Sequence, residues 1–186
     1  KKSKAELLEV LNAIDDSSRT AGQLLDHAMV SFRLDNLSED ELEVQFLIKD
    51  AIDRISPLYD LKGIQIKNNS IQNCKVMGDP ILLQNALHNV LDNALKYCSE
   101  NDTVTVKVKD VSQNCIIEIV DSGEGFPQNS VLLTNRFTRG ENTKGIVGSG
   151  LGLTIAKDVV EAHGGNITIS NTEKGGACVT FTLPCS

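Results

Sequence analysis

The stretch from Asp79 to Tyr97, DPILLQNALHNVLDNALKY, constrains the fold of this chain more than any other. Asp79 stands where a helix N-cap belongs, and Pro80 where a first helical residue tolerates a missing N–H. Leu82, Leu83, Ala86, Leu87, Val90, Leu91, Ala94 and Leu95 recur at helical spacing, so one wide face requires a core. Another face carries Asn85, Asn89, Asn93 and Lys96. Asparagine is a mediocre helix former because its side chain competes for backbone hydrogen bonds. A stripe of asparagines therefore either faces solvent or coordinates something polar. Amide oxygens beside an ammonium suit a metal together with phosphate.

A chain of 186 residues with 40% hydrophobic content can bury one good core and carry a smaller appendage. Its net charge of −7 and 4% aromatic content argue against nucleic acid, which wants basic grooves and stacking platforms. An acidic protein that holds an anion must build the site from backbone N–H groups and a few Lys or Arg. The five cysteines (Cys74, Cys98, Cys115, Cys178 and Cys185) are scattered, with no CxxC pair and no His at ligand spacing. They read as thiols of a reducing compartment, several of them buried. No apolar run approaches ~18 residues and no signal peptide leads the chain. The expectation is a soluble cytoplasmic piece without membrane contact, cut from something longer because Lys1-Lys2-Ser3 lacks a Met.

Residues 5 to 35 read as one long helix or a broken pair. Leu7, Leu8, Leu11, Ile14, Ala21, Leu24, Leu25, Ala28, Met29 and Phe32 form a stripe that a lone helix cannot hide, which implies a helical partner. The polar run Asp35 to Glu43 reads as a hinge. Beyond it Leu42, Val44 and Phe46 alternate as a brief strand. A helix follows from Leu47 to Leu58, disturbed by Pro57 and closed near Gly63. Short strands are expected at Ile64–Lys67 and Cys74–Met77. Thr103–Lys109 and Cys115–Val120 form a hairpin through Asp110–Asn114. A helix from Leu151 to His163 and a last hairpin, Asn166–Ser170 with Cys178–Leu183, end the chain.

Between Asp121 and Gly150 lies an irregular segment too long for a connector. Asp121-Ser122-Gly123-Glu124-Gly125 places a carboxylate at a strand end with glycines behind it, where a flat group can approach and donate from an exocyclic amine. Gly148-Ser149-Gly150-Leu151-Gly152-Leu153 runs into a helix, a turn whose amides and dipole favour phosphate. It is not G-x-G-x-x-G, because residue 155 is Ile. Nor is there a Walker loop: Gly140 to Gly145 has the right gap, but Ile146 stands where Lys is needed.

In this order and spacing the motifs resemble the ATP-binding domain of sensor histidine kinases, within the gyrase, heat-shock chaperone and mismatch-repair ATPase superfamily. HNVLDNALKY matches the N box, VDSGEGFP the first glycine box, NRFTRG the F box and GSGLGL the second glycine box. The resemblance runs from Leu42 to the end. It implies an α+β fold, a two-layer α/β sandwich whose mixed sheet packs against helices under a mobile ATP lid. It implies domains at 1–38, part of a dimerisation helix, and 39–186, the catalytic ATP-binding unit. The activity implied is protein-histidine kinase, with ATP and Mg²⁺ as cofactors. The partners implied are a response-regulator receiver domain and a second copy of the chain, the parent being an inner-membrane sensor.

Residue by residue, the resemblance makes Asn93 a Mg²⁺ ligand with Asn89 beside the metal, Lys96 a phosphate contact and Tyr97 a wall of the nucleotide site. Asp121 would recognise the adenine amine, with Gly123 and Gly125 clearing space for the base. Arg136 or, by better motif match, Arg139 would reach the terminal phosphate from a lid anchored by Phe137. Gly148, Gly150, Leu151 and Gly152 would wrap the phosphates. The superfamily's hydrolases carry a Glu at the position of Asn89; an amide cannot activate water, which favours transfer to another nucleophile.

The sequence departs from the family pattern in two respects, one being Ala177 where many relatives carry Thr or Ser near the adenine. None of His27, His88 or His163 has the surroundings of a phosphoacceptor His, so that residue is expected upstream of Lys1. The region around His27 resembles instead the second helix of the dimerisation hairpin. The alternative reading is a non-catalytic regulator of the same fold, acting by dimerisation or receiver docking.

Overall fold

The computed structural model describes residues 28–70, 72–126 and 151–186, together with positions 10, 17, 21, 22 and 25 of the N-terminal stretch. Residues 28–34 are helical, as are the isolated described positions before them. Leu25, Met29 and Phe32 are exposed at helical spacing, while Val30 turns the other way into the core at 4% exposure. His27 and most of the expected long helix lie outside the described residues.

The chain then enters β1 (Asp40–Glu43), which pairs antiparallel with β3 (Lys75–Gly78) in the register Leu42↔Val76. The expected strand through Val44 and Phe46 is corrected here, because α1 (Val44–Lys62) already begins at Val44. Val44, Leu47, Ile48, Ala51, Ile55 and Tyr59 all bury on one helical face, and that 3-4 spacing overrides the brief alternation before it. Pro57 sits inside α1 without ending it. Gly63 stops the helix at φ +70, donating its N–H to the Asp60 carbonyl.

Five strands form the main sheet in the order β2-β4-β5-β7-β6: β2 (Gln65–Asn68), β4 (Thr103–Val111), β5 (Asn114–Asp121), β7 (Ala177–Pro184) and β6 (Asn166–Asn171). The β2–β4 pair is parallel and the others antiparallel, so the sheet is mixed. The β4–β5 hairpin turns through Ser112 and Gln113 at φ 52 and 65, the two positive-φ positions that a two-residue primed turn requires. Val104, Val106, Val108, Cys115, Ile117, Ile119, Val179, Phe181 and Leu183 alternate onto the buried face.

Among the described residues α1, α2 (Pro80–Tyr97) and α3 (Gly152–Ala162) cover that face. The α2 helix lies between the other two and packs on both. Asp79 caps it, accepting from the N–H groups of Ile81 and Leu82 at 2.9 and 3.1 Å, as its sequence position requires. The Asp79 N–H in turn donates to Nε2 of His163 at 2.9 Å, while Nδ1 of the ring lies 2.7 Å from the Val159 carbonyl. His163 is thus a buried connector between α2 and the end of α3. The architecture is α+β, with one helical layer on one mixed sheet. No described helix is long and apolar enough to cross a membrane.

Candidate functional site

The asparagine stripe of α2 faces the start of α3. Asn89 donates from Nδ2 to the Asn85 carbonyl one turn back, at 2.9 Å, which turns its Oδ1 outward. A methyl group added at Gly152, the first residue of α3, would lie 3.3 Å from that Oδ1 and 3.6 Å from Nδ2 of Asn93. Two amide side chains and a helix N-terminus therefore meet at one point, with the small residue keeping the gap open. Amide oxygens are hard donors that suit Mg²⁺, and the first N–H groups of a helix suit phosphate. Lys96, one turn beyond Asn93, is half-buried and pairs with Asp92 at 2.5 Å.

Leu151 stands directly before α3, and its side chain is 2% exposed and belongs to the core. An apolar residue directly before a helix pulls inward whenever the sheet offers a hydrophobic surface.

Near the C-terminal end of α2, Asp121 closes β5. Its Oδ1 accepts from the N–H groups of Gly123 at 3.0 Å and Ala177 at 2.9 Å. Among the described residues both bonds fall on Oδ1, so Oδ2 is left for an incoming donor. Burial pushes this carboxyl above its ordinary range; the two N–H bonds oppose the shift without cancelling it. A half-buried carboxylate held this way is a candidate for amine recognition.

The glycines of this segment lie close against backbone carbonyls. A side chain at Gly123 would meet the Tyr97 carbonyl at 2.7 Å, and one at Gly125 would run into the Gly175 carbonyl. Gly125 also sits at φ +73. Asn171, which the sequence reading passed over, pairs with the backbone of Phe126: Oδ1 accepts its N–H at 2.6 Å and Nδ2 donates to its carbonyl at 2.7 Å. This amide clamp holds the chain where it leaves the first glycine box. Nothing local marks Asn171, because its partner is 45 residues away. Glu124 is exposed, as expected of a loop residue.

The structure thus gathers Asn89, Asn93 and Gly152 at one point, with Lys96 one turn on, and places Asp121, Gly123 and Tyr97 together near the C-terminal end of α2. Arg136, Phe137, Arg139, Gly148 and Gly150, with the expected lid, lie outside the described residues.

Comparison with known proteins follows the same outline. The family model described as histidine kinase-, DNA gyrase B-, and HSP90-like ATPase matches residues 78–186. The sensor-like histidine kinase SenX3 of Mycobacterium tuberculosis is 31% identical over 155 residues, 82% of this chain and 37% of that protein. The sensor protein KdpD of Clostridium acetobutylicum is 28% identical over 95% of this chain. The chain spans only 20% of KdpD's length. Among solved structures, the mycobacterial sensor histidine kinase MprB superposes with a TM-score of 0.70 at 27% identity, covering 79% of this chain and 97% of that one. With the asparagine helix, the glycine-started helix and the strand-end carboxylate all inside the matched region, the chain belongs to the family of histidine kinase-, DNA gyrase B- and HSP90-like ATPases.

Proposed function

We propose that this chain is the ATP-binding catalytic part of a two-component sensor histidine kinase, which passes the γ-phosphoryl group of ATP to a histidine of a dimerisation hairpin for relay to an aspartate of a response-regulator receiver domain. The observation that carries the reading is the approach of Gly152, at the N-terminus of α3, to Asn89 and Asn93. Asn93 and Asn89 would hold Mg²⁺ by their amide oxygens, and two amide oxygens beside the N-terminus of α3 form a donor set that fits that ion. When bound, Mg²⁺ would neutralise charge on the phosphates.

The protein's own groups do the rest. Lys96 exchanges Asp92 for a phosphate oxygen. Asp121 accepts the adenine amino group on Oδ2, and Tyr97 walls the nucleotide. Gly148, Gly150 and Gly152 supply N–H groups to the phosphates. Arg139, or Arg136, neutralises the terminal phosphate from the lid. Phosphoryl transfer needs positioning and charge neutralisation more than covalent chemistry, and an amide at position 89 supplies no base for water.

Residues 1–38 are read as part of the dimerisation helix and 39–186 as the catalytic unit. The exposed stripe Leu25, Met29 and Phe32 supports a helical partner from a second copy. The parent is read as an inner-membrane sensor with this part in the cytoplasm. The test is Mg-ATP binding by the chain, then label transfer to an upstream piece bearing the acceptor His. Asn93→Ala is expected to abolish binding while keeping the fold. Unchanged affinity in that variant would overturn the reading.

A further inference from the structure

Cysteines far apart in the sequence meet at the end of the sheet remote from Asp121. Cys74 leads into β3, Cys185 follows β7, and Cys115 stands near the start of β5 opposite Asp110. The Sγ atoms of Cys74 and Cys185 and a carboxylate oxygen of Asp110 all lie within 4.8 Å of one another. Cys185 Sγ is 3.9 Å from Asp110 Oδ1, and the Cys74 thiol points at the Lys109 carbonyl at 3.6 Å. Cys115 is buried across the β4–β5 hairpin from Asp110. The reading of these cysteines as scattered is thereby corrected, because strand pairing brings together what sequence spacing separates.

The backbone holds these groups in place. The Cys185 N–H donates to the Gln113 carbonyl and the Ser186 N–H to the Lys75 carbonyl, both at 2.9 Å. The Cys74 carbonyl accepts from Val44 at 2.9 Å, and the Asp110 N–H donates to Oε1 of Gln72 at 2.8 Å. Each candidate ligand thus sits on hydrogen-bonded chain. Asp110 is exposed and Cys185 half-exposed, which opens an entry path, while Cys74 and Cys115 close the inner side.

We propose that Cys74, Cys185 and Asp110, with solvent at the fourth position, form a binding site for a thiophilic divalent cation of the zinc class. Tetrahedral zinc takes thiolates at about 2.3 Å and carboxylates at about 2.1 Å, so its ligand atoms stand roughly 3.5–3.8 Å apart. The outer two groups can supply the small contraction by side-chain rotation. Sulfur donors disfavour calcium and magnesium.

Each thiol that ligates a dication releases its proton to solvent. Cys115 is six residues from Asp121 along β5, roughly 20 Å away at strand rise, so this site is separate from the asparagine helix and its expected nucleotide.

The test is titration of the reduced, chelator-washed chain with Co²⁺, followed by displacement with Zn²⁺. One equivalent of Co²⁺ should give thiolate-to-metal charge-transfer absorption that Zn²⁺ removes, and Zn²⁺ should raise the unfolding temperature. Cys185→Ser and Asp110→Asn, both on the solvent side, should each weaken Zn²⁺ binding at least tenfold. Cys178→Ser, outside the cluster, should leave it unchanged. Absence of the charge-transfer band overturns the proposal. So does wild-type Zn²⁺ affinity in Cys185→Ser, or a Cys74–Cys185 disulfide whose reduction is followed by no metal uptake.

Discussion

Arg33 donates from Nε to Oδ2 of Asp79 at 2.7 Å, tying the N-terminal helical segment to the cap of the helix that carries Asn89 and Asn93. Asp79 is 1% exposed and divides its carboxylate, one oxygen for the helix cap and the other for Arg33. Asp79→Asn keeps a competent cap and loses only the ion pair, whereas Asp79→Ala loses both. We expect losses of about 1 and about 2 kcal/mol, read from urea midpoints at neutral pH. An unchanged midpoint in Asp79→Asn would show that the ion pair contributes nothing, and equal losses in the two variants that the cap contributes nothing.

The same carboxyl predicts acid sensitivity. Burial raises its pKa, but Arg33 and the N–H groups of Leu82 and Ile81 together hold it below the ordinary carboxylate range. A depressed folded pKa contributes stability that is full above the unfolded value, about 3.9, and lost as pH falls through the folded one. Urea midpoints should therefore fall as pH drops below about 4, and Asp79→Asn should flatten that part of the profile.

Asp121 has the opposite sign. Its raised pKa means that the ionised form costs the folded state stability at neutral pH, a cost relieved as pH falls through the folded value. Asp121→Asn keeps an acceptor for Gly123 and Ala177 but can place an NH₂ where an adenine amine would donate. ATP affinity should fall at least tenfold, about 1.4 kcal/mol, with the unfolding midpoint of the free protein unchanged or raised. Calorimetric titration and urea unfolding of the one variant check both halves.

Gly125 and Gly175 face each other and both have positive φ, +73 and +103, yet they should respond differently. A Cβ at Gly125 strikes the Gly175 carbonyl and comes within 2.8 Å of Oδ1 of Asn171, whereas one at Gly175 meets nothing within 4 Å. Gly175→Ala should cost about 1–2 kcal/mol of backbone strain alone. Gly125→Ala should cost more and also release the Asn171 clamp on Phe126. Thermal unfolding of the pair of variants checks the order.

Local pattern carried a large part of this molecule. The α2 helix begins at Pro80 behind an Asp79 cap because those residues have the right chemistry within four positions of each other. Val104, Val106 and Val108 alternate in sequence and alternate in burial. The amides of Asn89 and Asn93 share a face by helical geometry alone. Where two periods competed, at Val44 and Phe46, the longer helical one prevailed because it buries more apolar surface.

The amino-acid order by itself determined which faces are apolar, where helices start and stop, and which residue types stand ready for a phosphate and a metal. Only the tertiary structure decided that Gly152 approaches Asn89, that Asn171 grips Phe126, that Arg33 reaches Asp79, and that Cys74, Cys185 and Asp110 converge. Those are pairings between distant segments. Their energy comes from strand register and helix packing, which no window of neighbouring residues contains.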